Sequence, residues 1–187
     1  MNTRQAFLKT NFTTRSEDDG KKYIEGYFIR YNEETELWDG VFEEVAPGAV
    51  AKSLKDNDIR ALFNHNTEIV LGRTGNNTVK FEDKKDGLWG SIEINPNDKQ
   101  ANDIYARVER GDIEGASFGF NPIKEEIQEN EDGSVKFRLK EIDLHEISPC
   151  TFPAYPTTSI QARKKDLNQH KQRQLELRKS KLKERLK

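Results

Sequence analysis

The feature that most constrains the fold is a pair of long strand-like segments, residues 113–127 and 135–147, with turn-forming residues at 129–133 between them. Shorter segments of strand character occur throughout the rest of the chain. Many strands with only one or two helices predict a mainly β domain, either a barrel or a sandwich. The shorter predicted strands are 5–14, 23–31, 41–45 and 59–63, with a hairpin formed by 78–82 and 87–94.

Two short segments have helical character. In residues 99–110 the apolar side chains follow a helical spacing, and Gly111 follows as a stop signal. Residues 47–54 begin with a proline, which is favoured at the first turn of a helix. The sequence therefore predicts a mainly β fold with a few helices.

The C-terminal segment differs in charge from the rest of the chain. Residues 161–187 carry 11 Lys/Arg against 3 Asp/Glu, a net charge of +8, whereas residues 1–160 have a net charge of −10. The segment is rich in helix-forming residues but has little apolar surface, so we predict a basic tail that is helical or disordered. We therefore predict a domain at 1–160 and a tail at 161–187, with the tail able to dock on an acidic partner.

Several classes of protein are disfavoured by the composition. Cys150 is the only cysteine, so an internal disulfide framework is excluded. The first ten residues lack the apolar core of a signal peptide, and no segment is apolar enough to cross a bilayer, which predicts a soluble, cytosolic protein. The three histidines lack the close spacing of metal ligands, so we expect neither metal nor cofactor.

Ser117 and His65 are the candidate catalytic residues. Ser117 lies between small residues in a strand-like segment, and His65 follows the apolar segment 59–63. A serine needs a base to become an effective nucleophile in acyl transfer, and histidine is the usual base. The pattern Gly115–Gly119 matches G-x-S-x-G, but the nucleophile elbow needs a helix after the serine, and this chain continues with a strand-like segment.

Other interpretations of these residues remain open from the sequence alone. Ser117 is equally well explained as a small residue in a packed strand, and His65 as a residue that ends a strand and caps a turn. Cys150 is an alternative nucleophile, although its position beside Pro149 favours a packing role.

A set of ordered motifs from about residue 5 to 162 resembles the prohead (capsid maturation) protease family of tailed bacteriophages, which is similar to the herpesvirus assembly protease. The tail lies outside these motifs. The resemblance implies a serine endopeptidase with a closed β-barrel surrounded by helices. The motifs are Ile24-Glu-Gly-Tyr-Phe28, Phe42-Glu-Glu-Val-Ala-Pro-Gly-Ala49, Ile59-Arg-Ala-Leu-Phe-Asn-His65, Leu71-Gly-Arg-Thr74, Arg110-Gly-Asp-Ile-Glu-Gly-Ala-Ser-Phe-Gly-Phe120 and Glu146-Ile-Ser-Pro-Cys-Thr-Phe-Pro-Ala-Tyr-Pro156.

The resemblance also implies roles for individual residues: Ser117 as nucleophile and His65 as general base. The third member is Glu146 or His145, which point to opposite faces of a regular strand, so only one can serve. We favour Glu146, because a carboxylate stabilises an imidazolium more strongly than a second histidine does. Arg73 is a candidate for oxyanion or substrate support, and a structural ion pair is an equally good interpretation of it.

The resemblance implies capsid protein and its scaffold segment as substrates, self-cleavage, possible self-association, and action inside the procapsid in the host cytoplasm. No membrane or specific nucleic-acid partner is expected. Two alternatives remain: a non-enzymatic scaffold or assembly protein of the procapsid, and an acyl hydrolase such as an esterase.

Overall fold

The computed structural model describes residues 4–18, 20–152 and 157–185. These residues form eleven β-strands, three α-helices and one 3-10 turn, so the mainly β prediction agrees with the structure. In chain order the elements are β1 Arg4–Lys9, β2 Thr13–Ser16, β3 Lys22–Arg30, β4 Thr35–Trp38, β5 Val41–Val45, α1 Ala51–Asp56, β6 Arg60–Phe63, β7 Asn66–Arg73, a 3-10 turn Thr74–Asn76, β8 Val79–Lys84, β9 Gly87–Ile94, α2 Lys99–Arg110, β10 Gly115–Glu129, β11 Val135–Cys150 and α3 Thr157–Arg185.

The long strands β10 and β11 form an antiparallel pair that is the backbone of a seven-stranded sheet. β1 flanks β10, whereas the other side of β11 is shared by two strands. β5 pairs in parallel with the first part of β11, and β6 pairs in parallel with Glu146 and Ile147 near its end. Because β6 is docked there, the connection that follows β6 lies beside the last residues of β11.

The second sheet has four strands in the order β2-β3-β9-β8. Its hairpin of β8 and β9 confirms the hairpin predicted at 78–94. The predicted strand 5–14 is in fact two strands, β1 and β2, which belong to different sheets. Strands β4 and β7 were not predicted.

The expectation of a closed barrel is wrong. In the described part of the chain both sheets are open: the branched seven-stranded sheet has β1, β4 and β7 as edges, and the four-stranded sheet has β2 and β8. Closure requires the first and last strands of a sheet to pair, which strand alternation does not encode. Here the far side of β11 is divided between β5 and β6, so the sheet branches instead of curling to meet β1.

One hydrophobic core collects buried side chains from both sheets, including Phe28 and Ile92 of the four-stranded sheet and Phe120 and Leu144 of the seven-stranded sheet. α2 adds the apolar face that its spacing predicted, and Gly111 ends it with a left-handed φ of 86°. The other predicted helix, 47–54, begins later, at Ala51.

The chain divides into two compact units, residues 1–155 and 156–187. In the second unit residues 157–185 form α3, and its leucines at 175 and 182 are exposed. The assignment of a protease domain to 1–160 and a tail to 161–187 stays a prediction. Among the described helices, none combines the length and the apolar character that a membrane span needs.

Candidate active site

The candidate nucleophile lies on a face of β10 where the positions on either side of it are glycines. Gly115, Ser117 and Gly119 alternate along β10 and therefore point to the same face. Directly across the antiparallel pair, Ser117 is opposite Ser148 and Gly119 is opposite Glu146. Residues opposite each other share a face, so this register gathers two serines and one carboxylate on one surface.

The two glycines are required by bulky neighbours. A Cβ atom on Gly119 would overlap the carboxylate of Glu146, and one on Gly115 would lie 2.6 Å from the ring of Phe7. The G-x-S-x-G pattern therefore reflects the close packing of the Glu146 and Phe7 side chains against β10. It is not a nucleophile elbow, because β10 continues as a strand to Glu129.

His65 occupies a tight turn between two paired strands. Phe63 of β6 pairs with Asn66 of β7, which leaves a two-residue loop of Asn64 and His65. Their φ values are +50° and +58°, as a type I′ hairpin turn requires. Such conformations are uncommon outside glycine, and they are kept where surrounding contacts enforce them.

The turn is tied to the end of β11 by a series of hydrogen bonds. The Asn64 N–H donates to the Pro149 carbonyl at 3.1 Å. The Asn64 side chain donates to the Thr151 hydroxyl at 3.2 Å and accepts from the Thr151 N–H at 2.9 Å. The His65 N–H donates to the Ser148 hydroxyl at 3.2 Å. These contacts fix the position of the His65 ring relative to β11.

The His65 ring contacts Glu146, with 2.7 Å between Nδ1 and Oε1. Both side chains are mostly buried, with 18% and 12% exposure. A carboxylate can only accept, so Nδ1 carries the proton and the Nε2 lone pair is left to act as a base. This is the relation between base and orienting acid that serine hydrolases use.

His145 does not join this pair. Glu146 is opposite Gly119 and Leu144 is opposite Phe120, so a register shift leaves His145 as an extra residue, and the regular alternation expected here is wrong. Its Nε2 lies 2.8 Å from the side-chain nitrogen of Asn121 and 3.6 Å from an oxygen of Asp143. Of the two candidates for the third position, the structure therefore brings Glu146, and not His145, to His65.

Ser117 is 2% exposed, and its hydroxyl donates to the Ala6 carbonyl of β1 at 2.7 Å. The hydroxyl proton is thus held by the neighbouring strand in this conformation. The serine and the His–Glu pair are on the same sheet face, and together they have the groups that acyl transfer needs.

Arg73 is engaged in an ion pair with Asp58. Its guanidinium contacts Asp58, with Nε 3.1 Å from Oδ1 and Nη2 2.5 Å from Oδ2. The Gly75 N–H and the Arg73 guanidinium hold the pKa of the Asp58 carboxyl below its usual value. This geometry fits the structural interpretation of Arg73.

Cys150 is buried, and burial raises the pKa of its thiol to about 12. It is therefore a thiol at neutral pH, which is a poor nucleophile. Within the described ranges, no group of three or more His, Cys, Asp or Glu side chains is placed to hold a metal ion.

One site residue was missed from the sequence: Ser148, which is fully buried and contacts both Glu146 and the backbone of His65. Its position two residues after Glu146 on a strand was the available signal, since such residues share a face.

Comparison with known proteins agrees with the ordered motifs. The model of the caudovirus prohead serine protease family matches residues 10–173. The chain therefore belongs to the caudovirus prohead serine protease family, as the motifs indicated. The match continues past residue 162 into α3, so the expectation that the tail lies outside it was wrong for residues up to 173.

Two individual proteins are similar to this chain. The prohead protease of Enterobacteria phage HK97 is 33% identical over 150 residues, which cover 78% of this chain and 62% of that protein. The chain thus spans less than two thirds of the length of this relative. The solved structure of the bacteriophage T4 capsid assembly protease covers 79% of this chain and 98% of its own, with a TM-score of 0.45 and 11% identity.

Proposed function

We propose that this chain is a serine endopeptidase that cleaves capsid and scaffold proteins, and itself, while a phage prohead matures. The observation that carries the proposal is the 2.7 Å contact between His65 Nδ1 and Glu146 Oε1 on the sheet face that bears Ser117. Membership of a family described as prohead serine proteases supports the substrate class.

The proposed reaction gives each of the three side chains a distinct role. His65 Nε2 removes the Ser117 proton as Oγ attacks the carbonyl carbon of the scissile peptide bond. Glu146 accepts from Nδ1 and stabilises the imidazolium that forms. The imidazolium then protonates the leaving amine, the C–N bond breaks, and water hydrolyses the acyl-enzyme by the same route in reverse.

The reaction begins with a change of partner for the Ser117 hydroxyl. In the described conformation it donates to Ala6, and for catalysis it must donate to His65 Nε2. A rotation about χ1 between staggered wells changes the direction of Oγ without moving the strand. We place this rotation at the moment when substrate enters the site.

The proposed setting is the interior of a procapsid assembled in the host cytoplasm, with the major capsid protein and its scaffold segment as substrates. The basic segment 161–187 is proposed to dock the enzyme on an acidic segment of those proteins, since its net charge of +8 favours such a partner.

The test compares wild-type, Ser117→Ala and Ser91→Ala proteins incubated with capsid precursor. Ser91 is a matched control, because it is also a buried strand serine and donates to Glu25 at 2.9 Å in the other sheet. We expect Ser117→Ala to lower the cleavage rate by more than about 10³-fold, and Ser91→Ala to keep it.

Equal processing by the wild-type and Ser117→Ala proteins would reject Ser117 as nucleophile. A lack of processing by every variant, with the proteins folded, would favour a non-enzymatic scaffold. Turnover of small esters without peptide cleavage would favour an acyl hydrolase.

A further inference from the structure

Ser148 is hydrogen-bonded to both members of the His65–Glu146 pair. Its hydroxyl donates to Glu146 Oε2 at 2.7 Å, while Glu146 Oε1 is 2.7 Å from His65 Nδ1. The same hydroxyl accepts from the His65 backbone N–H at 3.2 Å. The three residues therefore form a closed ring of hydrogen bonds that begins and ends at His65.

This ring determines the orientation of the carboxylate. With only the contact to Nδ1, Glu146 could rotate about its terminal torsion, which has a broad energy profile. A second hydrogen bond to Oε2 fixes that rotation and directs Oε1 at the imidazole. The Ser148 oxygen also anchors the backbone of a residue in the left-handed region, where extra contacts are needed to keep the conformation.

The environment makes these hydrogen bonds hard to replace. Ser148 is 0% exposed, so water does not readily take the place of its hydroxyl. Its removal leaves a partly buried N–H and a carboxylate oxygen without this partner, and unsatisfied groups of this kind are costly. The Glu146 carboxylate would move to find other donors.

We infer that Ser148 is a positioning residue of the catalytic apparatus. It holds the Glu146 carboxylate and the turn of His65 in fixed positions relative to each other. The inference rests on the proposed function. Ser148 does not touch the scissile bond in this scheme, and its effect reaches the reaction through Glu146.

The chain offers a matched control in Ser53. Its hydroxyl is also buried, donates to the Ile142 carbonyl at 2.7 Å and accepts from the Leu144 N–H at 2.9 Å. It too bridges two groups of the chain through one hydroxyl, but it contacts only the backbone of β11. Ser53→Ala therefore measures the structural cost of losing a buried hydroxyl that makes two hydrogen bonds.

The first experiment measures kcat and KM on the capsid precursor for the full chain, for Ser148→Ala and for Ser53→Ala. We expect Ser148→Ala to lower kcat by about tenfold to a hundredfold, because small displacements of catalytic groups have effects of this size. KM is expected to stay unchanged, and Ser53→Ala is expected to keep the kcat of the folded enzyme. Ser148→Thr keeps the hydroxyl and should restore part of kcat.

The second experiment repeats Ser148→Ala in a Glu146→Gln background. If Ser148 acts through Glu146, it should lower kcat much less there than in the wild type, since the interaction that it supports is already lost. If Ser148→Ala does not fold, Ser148→Cys keeps a side chain of similar size with a weaker donor and is expected to show the same kcat loss and the same coupling.

Two outcomes would overturn the inference alone: a kcat loss no greater than that of Ser53→Ala, or equal losses in both backgrounds. Activity that survives Ser117→Ala would instead overturn the proposed function together with it. The two failures are therefore distinguishable in one set of proteins.

Discussion

The serine and the histidine of this site are held by opposite means. Ser117 is the third residue of the long strand β10, where alternation and register place it opposite Ser148. His65 lies in a two-residue turn with positive φ, and hydrogen bonds to the end of β11 hold that turn in place. The pairing of two strands positions the serine, whereas individual hydrogen bonds position the histidine.

Strand β11 is common to both regions, because β10 pairs with it and the turn of His65 is hydrogen-bonded near its end. Its residues 146 and 148 are opposite Gly119 and Ser117, and its residues 148 and 149, with Thr151 just after the strand, bind the turn. A change on the strand side should therefore act through packing against β11, and a change on the turn side through lost hydrogen bonds. Three substitutions test this.

The largest effect is expected where the two regions meet, at Glu146. Glu146→Gln keeps the shape of the side chain but removes the charge and allows the wrong imidazole tautomer. If the proposed function holds, we expect kcat to fall by about 10³- to 10⁴-fold, as for the corresponding change in a Ser-His-Asp triad. Precursor cleavage kinetics measure this.

His145→Gln is the control for that change, because His145 is the neighbour of Glu146 on β11 but contacts Asn121 and Asp143. It should keep full activity, with a change in the free energy of unfolding within about 0.5 kcal/mol. The reverse result, an inactive His145 variant and an active Glu146 variant, would exchange the two assignments.

An intermediate effect is expected from Gly119→Ala, which disturbs the strand side. The new methyl group overlaps the Glu146 carboxylate, which must move and give up its hydrogen bonds to His65 and Ser148. We expect a loss of about 1–3 kcal/mol in the free energy of unfolding from these lost bonds. Activity should fall by about a hundredfold as Glu146 leaves His65. Thermal unfolding and kcat together separate the two effects.

Gly26→Ala serves as the matched control in the four-stranded sheet, where a Cβ atom would lie 2.8 Å from the ring of Phe12. It imposes a similar steric conflict but should keep the activity of the folded enzyme. If both glycine variants lose activity equally, packing against Glu146 is not the cause.

The smallest effect on activity is expected on the turn side, from Asn64→Ala. It removes the hydrogen bonds to Thr151 and places an alanine at φ +50°. We expect a loss of about 2 kcal/mol in the free energy of unfolding, from the left-handed conformation and the lost bonds together. The loss in kcat should be less than about tenfold, because the His65 N–H keeps its bond to Ser148.

Two further variants divide that loss into its parts. Asn64→Gly accepts the backbone conformation and loses only the side-chain bonds, whereas Asn77→Ala tests the backbone cost at another residue with φ +61°. Urea unfolding of the three variants gives each part. A fully stable Asn64→Ala would show that the turn does not depend on these contacts.

Local patterns in the sequence were sufficient for the regular elements. The helix at 99–110 and the hairpin at 78–94 depend on side-chain periodicity and turn residues close to each other in the chain. Strand β7 was missed because it begins with three exposed polar residues, Asn66, Thr67 and Glu68, and so lacks the alternation of a half-buried strand. The closed barrel was wrong because edge pairing depends on strands far apart in the sequence.

In the site, too, local patterns and contacts between distant residues determined different features. Alternation did not determine which of His145 and Glu146 meets His65, and a register shift beside Gly119 interrupts the alternation of β11 at this point. That choice depends on the parallel docking of β6 at Glu146, a contact between residues more than eighty positions apart. Ser148 was missed for the same reason, since its partner His65 is equally distant in the chain.

The sequence by itself determined that this chain is mainly β, that it belongs with the prohead proteases, and that Ser117 and His65 are its candidate nucleophile and base. These properties depend on local periodicity and on ordered motifs. The tertiary structure alone decided that the sheets stay open, that Glu146 meets His65, that Ser148 closes the ring between them, and that the Ser117 hydroxyl is bound by Ala6. The physical reason is that strand pairing and register bring distant residues into contact, and no pattern within a single strand specifies its partner.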